Sequence, residues 1–124
     1  MANPSPGLKA HPEHTVTLER EGRHVHVAFA GETIADTTDA ITLREGDYEP
    51  VLYIPLADVS RRHLVPSAHR SHCPFKGEAR YWNLTGGEHS ADNAVWAYDQ
   101  PFDEVADIAG HVAFYPDKVT ITVD

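Results

Sequence analysis

Turn-forming residues interrupt this chain so often that a long helix has nowhere to form, and that spacing limits its fold more than any other feature. Reversals are marked at Glu21 and Gly22, Gly31 and Glu32, residues 36–39, Gly46 and Asp47, residues 85–88, and Pro116 and Asp117. Strand periodicity fills the intervals. Val16 and Leu18 alternate with polar residues, and Val25, Val27 and Phe29 share one face while His24 and His26 share the other. Residues 32–36 and 40–44 read as short strands. The apolar, β-branched run 51–54 reads as a central strand ended by Pro55. Residues 56–64 predict one helical turn, which Pro66 keeps from lengthening. Further strands are expected at 77–84, 93–98, 111–115 and 119–123. Asp103 and Glu104 open a short helix that Gly110 ends. The expected product is mainly β: a compact antiparallel domain, closed or folded over, with one or two short helices.

A chain of 124 residues most simply makes one domain. Residues 1–14 carry Pro4, Pro6 and Pro12 and are expected to form an extended arm, mobile or laid over the domain; residues 15–124 form a single β domain. The single cysteine excludes an intramolecular disulfide and fits a reducing compartment. No apolar run approaches the roughly 20 residues of a membrane helix, and no secretory h-region opens the chain, so a cytoplasmic location is expected.

Charge is distributed unevenly. The net charge is −9, which argues against a nucleic-acid partner bound through its phosphates. Yet Arg61, Arg62, Arg70, Lys76 and Arg80 fall within residues 61–80, where Glu78 is the only acid. Cys73 lies in the same island with His63, His69 and His72. Neighbouring cations favour a thiolate, so Cys73 with Lys76, and with His72 or His69 as base, could support thiol chemistry. The plain counter-reading is a small buried hydrophobe. His69, His72 and Cys73 are also metal-ligand types, as are His24 and His26, but without a second cysteine no metal is assigned, and no cofactor is identified.

Lys76 and Arg62, helped by His69, could instead hold a carboxylate or phosphate, with Gly77 allowing close backbone approach. Arg80 is expected to point outward with Glu78, turning Ala79 and Tyr81 inward. Surface cations paired with the acidic remainder would explain the same residues. Aromatic side chains gather in the second half: Tyr81, Trp82, Trp96, Tyr98, Phe102, Phe114 and Tyr115. Most are expected in the core, and some could line a pocket floored by Lys76 and His111 that suits a planar or apolar ligand.

The run VLYIPLADVSRRHLVPSAHRSHCPFKGEARYW (51–82), followed by AVWAYDQP (94–101) and IAGHVAFYPDKV (108–119), resembles the bacterial and fungal family called domain of unknown function 427. The resemblance covers residues 14–124, and its CPxKGxAxYW core is met by Cys73, Pro74, Lys76, Gly77, Ala79, Tyr81 and Trp82. It implies a tent-like β fold of the kind seen in methionine sulfoxide reductase B and zinc-binding Mss-type proteins. The paired zinc cysteines of those relatives are missing here, so their metal is not carried over. Some collections label the family a nucleotidyltransferase. That chemistry needs carboxylates that hold divalent metal near phosphates, and the island offers only Glu78.

The expectation is a small-molecule-binding β domain. Cys73, Lys76 and His72 are its candidate catalytic residues. Arg62, His69, Tyr81, Trp82, Trp96, Tyr98, His111 and Tyr115 are its candidate ligand contacts, and the ligand is expected to be a small anion or an aromatic molecule. One alternative is a non-catalytic structural or interaction module, and a second is nucleotidyl transfer. A solvent-connected cavity touching both Cys73 and Lys76 would favour the first.

Overall fold

A computed structural model describes residues 2–124. A short helix, α1 (Pro6–Ala10), precedes ten described strands. In chain order these are β1 (Val16–Glu21), β2 (Val25–Phe29), β3 (Glu32–Thr37), β4 (Ala40–Glu45), β5 (Val51–Pro55), β6 (Leu64–Cys73), β7 (Gly77–Gly86), β8 (His89–Ala97), β9 (His111–Phe114) and β10 (Thr120–Val123). Seven form one sheet in the order β1-β4-β5-β9-β8-β7-β6, and three form a second in the order β10-β2-β3. The described pairings are all antiparallel. The mainly β, antiparallel domain predicted from the turn spacing is therefore the one observed, as two packed open sheets.

Alternation along the strands gives the seven-stranded sheet a core on each face. Leu52, Ile54, Val112, Phe114, Trp82 and Leu84 pack with Val25, Val27 and Ile34 of the small sheet. Their neighbours Tyr53, Ala113 and Tyr81 turn to the opposite face, where Leu43, Tyr98, Val105 and Ile108 join them. Val105 and Ile108 come from a 3-10 segment, Asp103–Ile108, at the place where a short helix was predicted. Burying a side chain such as Leu84 or Ile108 contributes about 1.5–3 kcal/mol. The small sheet covers one face of the large sheet. The other face is covered only in part, and the candidate site lies there.

Three local predictions need correction. Strand β6 runs through Leu64–Cys73, a stretch to which the sequence reading assigned no strand. It is the outermost strand, so a proline without an N–H costs it little, and its register shifts between Pro66 and Arg70. Residues 56–64 hold two 3-10 turns, Leu56–Asp58 and Arg61–His63, rather than one. The N-terminal arm is not wholly extended: Ser5 caps α1 by accepting from the Leu8 N–H. The arm is laid over the domain. Ser5 Oγ donates to the Pro74 carbonyl at 2.8 Å, Gly7 N–H donates to the same oxygen at 2.9 Å, and His14 stacks on Phe75. No helix among the described residues is long and apolar enough to cross a membrane.

Candidate functional site

The turn between β6 and β7 sets the key cation. Cys73 pairs with Gly77 at the closed end of this hairpin, and the Lys76 N–H returns to the Cys73 carbonyl at 3.3 Å. Gly77 has φ +122°, a region where a side chain would be strained. The Lys76 carbonyl accepts from Phe102 N–H at 3.0 Å, which ties the turn to the segment carrying Val105 and Ile108. Held at both ends, Lys76 sends its ammonium inward to Oε1 of Glu45, the last residue of β4, at 2.5 Å. Both side chains are only 14 % exposed. The second Glu45 oxygen bonds His14 Nε2 at 3.0 Å.

This ion pair borders a cavity of about 200 Å³ on the partly covered face of the large sheet. Its walls come from neighbouring strands: Leu43 from β4, Tyr53 from β5, Trp96 from β8 and Tyr81 from β7, with Tyr98 and Tyr115 just past the ends of β8 and β9. Tyr48, which is 71 % exposed, and Glu49 stand at its edge. The volume would hold roughly six or seven waters at liquid density. Trp96 donates its indole N–H to Tyr53 Oη at 3.3 Å and packs against Tyr115 with ring centroids 4.5 Å apart. Tyr81 Oη bonds Ser71 Oγ at 2.8 Å, and His69 packs on the Tyr81 ring at 4.5 Å. A second cavity of about 260 Å³ shares Glu49, Val51 and Trp96 with the first and opens toward Leu52, Phe114 and Ile121.

Burial dominates the protonation of the phenols. It pushes Tyr53 and Tyr98 well above the ordinary tyrosine range, so both remain O–H donors. Tyr115 is pushed up as well, first by burial and then by its hydrogen bond with Tyr81. Burial also pushes the Glu45 carboxyl up. The hydrogen bond and charge of Lys76, with help from His14, outweigh that effect and hold Glu45 below the usual carboxylate range. Lys76 Nζ meets this carboxylate as a hydrogen-bond donor. Lys76 is thus arranged as a hydrogen-bond donor rather than as a nucleophilic amine.

Of the residues singled out in the sequence, Lys76, Tyr81, Trp96, Tyr98 and Tyr115 meet at this cavity. His69 stands behind it, against Tyr81. The others lie elsewhere. Arg62 is 80 % exposed, 3.9 Å from Glu32, and borders a separate depression with Gly86 and Gly87. Trp82 is in the core between the sheets, under the Arg80 guanidinium. His111 borders a groove with Arg20, Asp39 and Asp107. Arg80 is half-buried beside Asp99 rather than projecting freely into water.

None of the five described cavities is lined by both Cys73 and Lys76. Cys73 is half-buried and packs into the core cluster behind the cavity, while Lys76 reaches the cavity itself. His72 is turned to the opposite face by strand alternation, where it bonds Glu78 and borders another groove. Among the described residues no three His, Cys, Asp or Glu side chains gather as metal ligands.

Sequence reasoning missed Glu45 and Tyr53. Glu45 lies next to a turn glycine and reads as a surface acid. Tyr53 did carry a signal: a hydroxyl in the middle of the apolar run 51–54 needs a buried partner. In comparisons with known proteins, the model of the family described as domain of unknown function (DUF427) matches residues 17–124. No curated protein matches the chain.

Proposed function

The chain belongs to the DUF427 family, and from that premise we propose that it is a binding domain for one small molecule, held without a covalent bond at the Lys76 cavity. The observation that carries this reading is the Lys76–Glu45 pair on the wall of a hollow ringed by Tyr53, Tyr98 and Trp96. A half-buried ion pair is weak as a device for stability, since desolvation offsets most of its Coulomb energy. Beside a concave space with other polar groups, it supplies directional contacts to an occupant. The small volume favours a ligand of about one ring. A nucleoside triphosphate is far larger, and Glu45 is already engaged by Lys76 and His14, so nucleotidyl transfer is the weaker reading. A reducing, cytoplasmic setting suits the free thiol of Cys73.

The test is a thermal-shift screen of small ring compounds against the wild-type chain and Val51→Phe, which fills the cavity from one wall. A ligand at about 100 times its Kd adds about 2.7 kcal/mol of stability. We expect hits that raise the wild-type Tm and lose their effect in Val51→Phe. Hits that act equally on both proteins would place binding elsewhere and contradict the proposal.

A further inference from the structure

We infer that the occupant of the Lys76 cavity is a neutral, planar molecule that offers a carbonyl oxygen; this rests on reading the cavity as a ligand site. Proton donors gather at the cavity wall. An ammonium has three N–H donors, and Lys76 gives one of them to Glu45 Oε1. The other Glu45 oxygen is taken by His14. Tyr53 Oη accepts from Trp96, so its own proton is still to be given. Tyr98, which also lines the cavity, keeps its proton too. Lys76, Tyr53 and Tyr98 therefore all have protons to give into one small space. A molecule that enters must bring acceptors, and a carbonyl oxygen takes two such bonds.

Charge adds a second constraint. The rim and wall carry two carboxylates, Glu45 and Glu49, against the single ammonium of Lys76. An anion would find the cation already paired and a net negative lining. A cation would face the ammonium and a set of donors. Shape adds a third. Trp96 and Tyr115 lie against each other at the cavity wall and offer π surface to a flat ring. Together these features favour a neutral, flat occupant over the small anion expected from the basic island.

Three probes of matched size separate the possibilities: benzamide (neutral carbonyl), benzoate (anion) and benzylammonium (cation), each titrated calorimetrically into the intact chain at pH 7. Benzamide is expected to bind at least about tenfold more tightly than either charged probe. Tyr98→Phe, which removes a donor and keeps the ring, should weaken benzamide severalfold without lowering Tm. Tighter binding of benzoate or benzylammonium would overturn the neutral-carbonyl inference and leave the ligand site standing. Failure of all three to bind at millimolar concentration would overturn the ligand site itself.

Discussion

The Lys76 ammonium donates to Glu45 Oε1 at 2.5 Å and so joins the β6–β7 turn to the end of β4, across the middle of the seven-stranded sheet. Glu45→Gln keeps the shape and removes the charge. Loss of a charged hydrogen bond of this kind costs about 1.5–3 kcal/mol. Because the folded-state carboxyl is held below its ordinary value, its contribution is present at neutral pH and is lost as pH falls through that lowered value. Urea unfolding of both proteins between pH 7 and pH 3 should therefore give two curves that converge on the acid side. A gap independent of pH would mean that the ion pair is not the source.

The N-terminal arm should be sensitive to a single methyl group. A Cβ on Gly7 would lie 2.7 Å from the Pro74 carbonyl oxygen and 2.8 Å from the Phe75 ring. Gly7→Ala must push α1 off the turn that carries Lys76. Hydrogen exchange at residues 5–11 should then accelerate by about tenfold or more, with the strands much less affected. Unchanged protection of the Gly7 amide would show that the turn can yield instead.

His24 joins the ends of the small sheet by bonding Asp36 and reaching Asp124 at 3.5 Å. The hydrogen bond to Asp36, then that to Asp124, raises its pKa above the ordinary histidine value. Any stability it adds is present at low pH and fades as pH rises through the raised value. An NMR titration should show a late midpoint for His24 that falls in Asp36→Asn. An unmoved midpoint in that variant would contradict the assignment.

Strands with strict alternation were legible in the sequence, because one buried face leaves a period of two. Val25, Val27 and Phe29 in β2 are the clear case, whereas β5 was legible as a continuous apolar run. Strand β6 was hidden because it is an outer strand, mostly exposed, and carries a proline that only an edge tolerates. The basic island was visible, but its meaning was not. Folding the island into a hairpin sends Arg70, His72 and Arg80 to one groove and Arg62 to another, and leaves Lys76 alone at the cavity. Glu45, 31 residues away, had no local mark of its role. Long-range pairing of strands, which spacing does not encode, decides which charges meet.

Binding of one small ligand at the Lys76–Glu45 pair can be observed residue by residue. The most direct measurement is a ¹H–¹⁵N NMR map of the chain titrated with benzamide. The largest shifts should fall on Glu45, Lys76, Tyr98 and the Trp96 indole N–H, and they should shrink in Lys76→Met. Shifts centred instead on Arg62, His72 or His111, or shifts unaltered by Lys76→Met, would contradict it.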